Sequence, residues 1–320
     1  MAVKKILNLL SLISWIMINR LLLLLMICAC HGSVMAQWAL PHISVAHVRT
    51  EPRHGAEMST QVLMGMPLKL VGKTDGDWQE VEMPDGYRGY VISNSLTLID
   101  DRSFSSWRKS PRLFVIADDE VKVHEDAGDG ANVVTDVVAG DIMEGELTGE
   151  WSRVALPDGR KGWIKSKYVK SIEKVALNDA ANEIIRIAKR HIGTPYLWGG
   201  LSSKGMDCSG LVKMAFYNTG RILMRDASQQ AKTGAPVLRG ALTKGDLVFF
   251  GNATGRINHV GIYDCDGYFI ESSGRVKRTA LADVAGGYIC SRRILGNEGS
   301  AGIVMISNHP WYFLKSSVKE

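Results

Sequence analysis

A glycine-rich loop passes into a helix-like segment at the sequence Met206-Asp207-Cys208-Ser209-Gly210-Leu211-Val212. A thiol at this junction would face the partial positive charge of a helix N-terminus, which favours the thiolate, the nucleophilic form of cysteine. An isolated cysteine is more often a small core residue, because free cysteine is among the most buried residue types. Cys208 is therefore a candidate nucleophile only if the rest of the chain supplies groups that activate it.

A histidine and a carboxylate downstream of Cys208 can supply that activation. The segment from His259 to Tyr263 alternates like a strand, and Asp266-Gly267 is typical of a tight hairpin turn. If the numbers of paired residues on the two strands add up to an even sum, His259 and Glu271 share one face of the hairpin and lie close together. A cysteine nucleophile needs a base, and the base needs a group that orients it. The sequence therefore predicts Cys208, His259 and Glu271 as a catalytic group.

The segments around this group predict an α+β fold. A first helix is expected from Asp179 to Ile192, capped by Asn178 and ended by Gly193. The residues expected on its buried face are Ile184, Ile187, Ala188 and Ile192. A second helix is expected over residues 208–218, and strands over residues 246–250, 259–263 and 267–272. Helices that precede an antiparallel sheet are typical of the α+β class.

Two upstream segments repeat one another. One runs from Gly76-Asp77-Trp78 through Pro84-Asp85-Gly86 to Gly89-Tyr90-Val91, and the other from Gly149-Glu150-Trp151 through Pro157-Asp158-Gly159 to Gly162-Trp163-Ile164. Each copy predicts strands joined by a Pro-Asp-Gly turn within a small all-β barrel. The copies, residues 42–98 and 112–170, resemble bacterial SH3 domains, and a polar linker is expected from Asp100 to Ser110. The alternative is a pair of generic β-hairpin domains without a ligand.

Residues 183–296 resemble the NlpC/P60 family of papain-like cysteine peptidases. The matching blocks are Gly193-Thr194-Pro195-Tyr196-Leu197-Trp198-Gly199-Gly200, Asp207-Cys208-Ser209-Gly210-Leu211-Val212, Asn258-His259-Val260-Gly261-Ile262-Tyr263 and Phe269-Ile270-Glu271-Ser272-Ser273-Gly274. The resemblance implies a catalytic domain over residues 178–315, in which Cys208 attacks, His259 activates it and Glu271 orients the histidine. The family usually has histidine at the third position. A carboxylate there should favour the imidazolium, although the substitution is also compatible with a weakened or inactive enzyme.

The resemblance also indicates a substrate. The stretch Arg225-Asp226-Ala227-Ser228-Gln229-Gln230 and the closing His309-Pro310-Trp311-Tyr312-Phe313 resemble family members that cleave γ-D-glutamyl–diamino acid bonds of peptidoglycan stem peptides. It implies hydrolysis through a thioester, before diaminopimelate or lysine, in peptides with a free N-terminal L-Ala, and a cleft narrowed by an SH3 domain. The substrate-binding residues that it implies are Tyr196, Trp198, Asp207, Ser209, Arg225 and Asp226.

The expected roles within this set differ. Asp207 is expected to help bind the free amino terminus, and Tyr196 to help stabilise the oxyanion together with backbone N–H groups. Arg225 and Asp226 are expected to hold each other or a charged ligand. For Tyr196 and Trp198, the plain alternative is aromatic packing under the nucleophile loop.

Other classes of function stay open at this point. One alternative is an endopeptidase on intact murein crosslinks, and another is a catalytically inert wall-binding protein in which the SH3-like pair acts. A metal hydrolase is disfavoured, because His191, His259 and His309 lack HxxE or HxH spacing. The chain has no dinucleotide fingerprint, and its net charge of +5 comes without an arginine-rich stripe. We therefore expect no cofactor, no metal and no nucleic-acid partner.

Residues 1–36 have the pattern of an export signal, with an apolar run from Leu21 to Cys28 and small residues before Gln37. A start at Met17 would give a more ordinary signal, Cys30 is a candidate lipidated residue, and a retained membrane anchor is the other reading. We expect a periplasmic protein that contacts the membrane only if it is lipidated at Cys30 or anchored. In an oxidising compartment Cys265 and Cys290 can pair, which leaves Cys208 as the free thiol.

Overall fold

The computed structural model describes residues 36–72, 74–176, 179–284 and 287–314. The export signal expected over residues 1–36 falls outside these ranges except for Ala36, so Met17 and Cys30 are not described, and neither is the helix cap expected at Asn178. Among the helices of the described ranges, none has the length and apolar character needed to cross a bilayer.

The first SH3-like repeat, called repeat 1 here, is a seven-stranded sheet. Its strands are β1 (Trp38–Pro41), β2 (Val45–Arg49), β3 (Met58–Leu63), β4 (Leu68–Leu70), β5 (Trp78–Glu82), β6 (Arg88–Ile92) and β7 (Leu96–Ile99). They pair in the order β3-β2-β6-β5-β4-β1-β7. Along β2, Ala46 and Val48 are buried while His47 between them is exposed, which is the alternation expected of a sheet with one face in the core.

The second repeat, repeat 2, has the same architecture. Its strands are β8 (Arg112–Val115), β9 (Val121–His124), β10 (Val133–Val137), β11 (Ile142–Gly145), β12 (Trp151–Ala155), β13 (Lys161–Lys165) and β14 (Val169–Ser171). Their order, β10-β9-β13-β12-β11-β8-β14, is that of repeat 1 with seven added to each number. The third residue of each Pro-Asp-Gly turn has a positive φ, 80° at Gly86 and 88° at Gly159, which glycine adopts without a steric penalty.

The polar linker expected between the repeats is instead a helix, α1 (Asp101–Lys109). Asp100 caps it by accepting a hydrogen bond from the backbone N–H of Ser103 at 2.7 Å. Its two large apolar side chains, Phe104 and Trp107, are buried, and Phe104 stacks on Trp38 of repeat 1 at 3.9 Å. Polar residues outnumber apolar ones here, but two aromatic residues three apart are enough to dock one face of a short helix.

The α+β region follows. Its helices are α2 (Ala180–Arg190), α3 (Cys208–Tyr217) and the short α4 (Ala227–Gln230). Its main strands are β18 (Ala235–Pro236), β19 (Leu247–Gly251), β20 (Ile257–Cys265), β21 (Tyr268–Ser273), β22 (Arg275–Ala280) and β23 (Tyr288–Arg293). They form one antiparallel sheet in the order β18-β23-β19-β20-β21-β22. The α+β class predicted from the sequence is confirmed.

Two small ladders and five short 3₁₀ segments complete the described structure. The ladders pair β15 (Leu201–Ser202) with β16 (Gly205–Met206), and β17 (Arg221–Leu223) with β24 (Ile303–Met305). The 3₁₀ segments are Ser93–Ser95, Ser166–Tyr168, Ile172–Lys174, Arg239–Ala241 and Ile306–Asn308. The hairpin of β15 and β16 leads directly into α3, so it sets the position of the helix start.

Helix α3 is buried along its whole length. A helix covered on every side lies inside the molecule rather than on its surface. It packs against α2, whose Ile184, Ile187 and Ala188 are buried as expected. Ile192 does not join that face, because α2 ends at Arg190 and the side chain beyond it is 50% exposed.

Cys265 and Cys290 are both free, as is Cys208. Cys265 ends β20 and Cys290 lies within β23, and β19 separates these two strands in the sheet. Because a strand lies between them, the two thiols are held apart. The disulfide considered for an exported protein is therefore absent.

Candidate active site

Cys208 is the first residue of α3 and is buried. The preceding residue, Asp207, caps the helix by accepting a hydrogen bond from the Gly210 N–H at 2.6 Å. Gly210 has no room for a side chain, because a Cβ there would clash with the Gly200 carbonyl. The glycine-rich loop therefore packs tightly on the helix start and holds the thiol at the positive end of the helix dipole.

His259 and Glu271 lie on one face of the hairpin of β20 and β21. The turn is Asp266-Gly267, with φ of 51° and 78°, as a type I′ turn requires. Glu271 pairs directly with Gly261, so the register sum is even, and His259 is the diagonal neighbour of Glu271 rather than its direct partner. The imidazole Nε2 and the carboxylate Oε2 are 2.5 Å apart.

The surroundings of His259 favour its charged form. Burial alone would lower its pKa, but hydrogen bonds and charge from Cys208 and Glu271 outweigh this and raise the pKa to about 9. Because Nε2 donates to Glu271, Nδ1 is the nitrogen available to the Cys208 thiol. At neutral pH the arrangement therefore places an imidazolium beside the Cys208 thiol, as a base that activates a cysteine nucleophile requires.

Glu271 is itself held in place by a second contact. Its other oxygen accepts a hydrogen bond from the Thr279 hydroxyl at 2.5 Å, and the Lys277 ammonium lies 3.7 Å away. Burial would raise the pKa of Glu271, but the hydrogen bonds from His259 and Thr279 and the nearby positive charges lower it overall. The carboxylate therefore stays ionised, as a group that orients and stabilises an imidazolium must.

We expect Glu271→Gln to move the alkaline limb of the pH profile of kcat/KM to lower pH. In the wild type His259 keeps its proton up to about pH 9, so activity should fall as pH rises through that value. The amide keeps the size of the side chain but removes its charge, which should shift the limb down by about one to two pH units. The measurement is kcat/KM as a function of pH for the wild type, Glu271→Gln and Glu271→Ala. Unchanged turnover and an unchanged limb in both variants would remove Glu271 from the mechanism.

A buried ion pair braces the nucleophile loop. Arg225, only 2% exposed, binds both carboxylate oxygens of Asp207, at 2.5 and 3.2 Å, and donates to the Ser209 hydroxyl at 2.8 Å. The ion pair suggested between Arg225 and Asp226 is therefore absent, because the arginine points to Asp207 instead. The Asp226 side chain is half-buried on the cleft wall, and burial is the main cause that raises its pKa.

Repeat 1 packs directly over this loop. The Arg225 Nε donates to the Thr60 hydroxyl at 2.6 Å, and Gln61, the next residue of β3, accepts a hydrogen bond from the Leu201 N–H at 2.8 Å. Gly199 passes so close to β3 that a Cβ would lie 2.5 Å from the Met58 carbonyl oxygen. The edge strand of repeat 1 is thus part of the wall that positions the nucleophile.

An open cleft runs past Cys208. From the nucleophile side its walls are formed by Tyr196, Trp198, Asp207, Ser209, Arg225 and Asp226. The structure therefore brings together all six residues expected at the substrate site. Trp198 is 61% exposed, so it lies on the cleft rim and does not pack under the loop.

Repeat 1 contributes cleft residues that the sequence did not single out: Thr50, Glu57, Ser59 and Tyr87. Glu57 accepts a hydrogen bond from the Trp198 indole N–H at 2.7 Å, which ties the rim of the cleft to repeat 1. An SH3 domain that narrows the cleft was expected. Which of its residues line the cleft depends on how repeat 1 docks on the catalytic domain. No local pattern in the chain marks them.

Tyr196 is half-buried beside the nucleophile. Burial is the main cause that raises its pKa to about 12, and the negative charges of Cys208 and Asp207 add to this. The phenol therefore keeps its proton at neutral pH and remains a hydrogen-bond donor beside the thiol. Within the described ranges, no three or more His, Cys, Asp or Glu side chains cluster in a way that would hold a metal ion.

Two known families match parts of the chain. The NlpC/P60 family matches residues 193–295, which hold Cys208, His259 and Glu271, and the bacterial dipeptidyl-peptidase Sh3 domain matches residues 48–96. Dipeptidyl-peptidase 6 of Lysinibacillus sphaericus is 30% identical to this chain over 230 residues, which is 68% of this chain and 81% of that protein. The chain belongs to the NlpC/P60 family.

Further relatives agree with this membership. The gamma-D-glutamyl-L-lysine dipeptidyl-peptidase of Bacillus cereus is 28% identical over 235 residues, 68% of this chain and 67% of that protein. A solved NlpC/P60 family protein from Bacillus cereus has the same fold, with a TM-score of 0.72 at 24% identity over 81% of this chain and 99% of that one. The predicted NlpC/P60 fold with N-terminal SH3-like domains is confirmed, and the chain is an NlpC/P60-type cysteine peptidase.

Proposed function

We propose that this NlpC/P60 peptidase hydrolyses the γ-D-glutamyl–diamino acid bond of peptidoglycan stem peptides that carry a free N-terminal L-Ala. The observation that carries the proposal is that repeat 1 forms one wall of the cleft beside Cys208 and is tied to the cleft rim by the hydrogen bond between Trp198 and Glu57. Two relatives are named as dipeptidyl-peptidases, one of them for the gamma-D-glutamyl-L-lysine bond. Export through residues 1–36 would bring the enzyme to this substrate.

The two halves of the cleft receive different parts of the substrate. His259 must protonate the leaving amine, so the leaving diamino acid lies toward β20, the strand that carries the histidine. The acyl part, L-Ala-γ-D-Glu, then lies toward Tyr196, Trp198 and repeat 1. In our proposal repeat 1 limits this half of the cleft to a dipeptide, so that the product would be L-Ala-D-Glu.

The free amino terminus needs an acceptor in the acyl half. Asp207 was expected to supply it, but its two oxygens already accept hydrogen bonds from Gly199, Gly210, Ser209 and Arg225. Glu57 engages only one oxygen, with Trp198, and its side chain is exposed to the cleft. In our proposal Glu57 therefore binds the ammonium, while Asp207 positions the nucleophile loop.

In the proposed reaction the Cys208 thiolate attacks the γ-carbonyl carbon and a C–S bond forms. The negative charge on the carbonyl oxygen faces the first N–H groups of α3 and the Tyr196 hydroxyl. His259 gives its proton to the leaving amine nitrogen as the C–N bond breaks, which leaves a thioester. Neutral His259 then takes a proton from water, the hydroxide displaces the thiolate, and the imidazolium–thiolate pair is restored.

The test compares L-Ala-γ-D-Glu-diaminopimelate with its N-acetylated form and with intact crosslinked murein, by product mass. We expect release of L-Ala-D-Glu, and a kcat/KM about 10- to 100-fold lower after acetylation, which removes a charge-assisted hydrogen bond. Glu57→Gln should reduce that discrimination, whereas Glu51→Gln, an exposed glutamate of repeat 1 paired with Arg53, should not. Equal cleavage of free and acetylated peptides, or preference for intact murein, would contradict the proposal.

A further inference from the structure

One charged residue of the cleft has no part in the mechanism above. Arg256 lines the same cleft as Cys208 and lies just before β20, three residues ahead of His259. It therefore belongs to the half of the cleft that receives the leaving diamino acid. The other residues of this half, Asn252, Ile257 and Asn258, carry no charge.

The turn that presents Arg256 is held by its own hydrogen bonds. The Asn252 N–H donates to the Arg256 carbonyl at 3.1 Å, and the Arg256 N–H donates back to Asn252 Oδ1 at 3.0 Å. The same Oδ1 accepts from the Thr254 hydroxyl at 2.7 Å. At Gly251 a Cβ would clash with the Arg256 carbonyl, so the turn closes tightly there. The backbone of Arg256 is thus set in one place on the cleft rim.

The guanidinium of Arg256 is available to a ligand. Arg225, the other arginine of the cleft, is committed to Asp207 and Ser209. Elsewhere in the α+β region Arg278 pairs with Asp264, and Arg293 with Asp246. Arg256 is exposed and forms no ion pair with any acidic side chain of the described ranges.

We propose that Arg256 binds the side-chain carboxylate of the leaving residue and so selects diaminopimelate over lysine. This inference rests on the proposed function, because it assigns the leaving group to the half of the cleft next to β20. A guanidinium matches a carboxylate with two parallel hydrogen bonds. Lysine has no such carboxylate, and its ammonium would meet a like charge at the same place.

The test compares L-Ala-γ-D-Glu-diaminopimelate with L-Ala-γ-D-Glu-L-Lys for the wild type and Arg256→Gln. We expect the wild type to prefer the first peptide by about tenfold in kcat/KM, the effect of one partly exposed charge-assisted contact, mainly through KM. Arg256→Gln should lose this preference, because kcat/KM falls on the diaminopimelate peptide and rises slightly on the lysine peptide, whose ammonium no longer meets a like charge. Arg256→Glu should reverse it. Arg102→Gln, an exposed arginine of α1, is the control for a simple loss of positive charge.

The outcomes separate the inference from the function on which it rests. Equal loss on both peptides in Arg256→Gln overturns the inference, because both retain the α-carboxylate and only one has the side-chain carboxylate. If the ratio of kcat/KM for the two peptides is unchanged in Arg256→Gln and in Arg256→Glu, the inference is overturned as well. In either case the proposed function stands. Failure of the wild type to cleave either peptide overturns the proposed function, and the inference with it.

Discussion

Cys208→Ala is expected to lower kcat on the stem tripeptide by about 10⁵-fold or more, the usual scale for removal of a catalytic nucleophile. The buried thiol at the start of α3 is the nucleophile of the proposed reaction, and alanine has no group that can form the acyl intermediate. The charged His259 and Glu271 would remain in place but without a nucleophile to activate. Release of L-Ala-D-Glu, followed by mass spectrometry, measures the effect.

Two matched controls belong to this experiment. Cys265 and Cys290 are also free thiols, but neither side chain lines the cleft, so Cys265→Ala and Cys290→Ala should keep full activity. The muropeptide profile of cells that carry Cys208→Ala decides the remaining alternative. If the profile and the wall phenotype match those of the wild type, the SH3-like pair does the work and the catalytic region is inert.

The catalytic group was predictable from the sequence because its signals are local. Cys208 follows a glycine-rich loop and starts a helix, and His259 and Glu271 flank one short turn whose type is set by Asp266-Gly267. Such features depend on a few consecutive residues and a period of two or 3.6. The register is the exception. The turn pairs Cys265 with Tyr268, which alone would put His259 and Glu271 on opposite faces, and a bulge between Tyr263 and Cys265 brings them to one face as diagonal neighbours.

The wall of the cleft that repeat 1 supplies was not predictable in the same way. Glu57 and Tyr87 reach the cleft only because β3 of repeat 1 docks on the nucleophile loop, and Arg225 turns to Asp207 because Thr60 holds its other side. These are contacts between residues far apart in the chain, and no periodicity encodes them. The prediction of a polar linker was wrong for a related reason. The segment is polar in composition, but α1 is held in place by aromatic packing against Trp38.

Asp85→Ala is expected to lower the free energy of unfolding by about 3–5 kcal/mol, the cost of leaving a buried charge without its partner. Asp85 belongs to the Pro-Asp-Gly turn of repeat 1 and pairs with Lys213 of α3 at 2.5 Å. The two side chains are only 3% and 9% exposed, so bulk solvent screens the pair little. Burial lowers the pKa of Lys213, and Asp85 opposes that shift. Denaturant unfolding measures the loss.

The internal repeat supplies the matched control for this prediction. Asp158 occupies the same place in the Pro-Asp-Gly turn of repeat 2, but its partner Arg160 is 42% exposed, so Asp158→Ala should cost about 1 kcal/mol or less. The pair Asp85→Leu with Lys213→Met should recover most of the stability, because apolar packing often replaces a buried ion pair. If Asp85→Ala and Asp158→Ala lower the free energy of unfolding equally, the buried pair of Asp85 and Lys213 does not stabilise the contact between repeat 1 and α3. If the double variant is stable but cleaves slowly, the pair serves to position Cys208 under repeat 1.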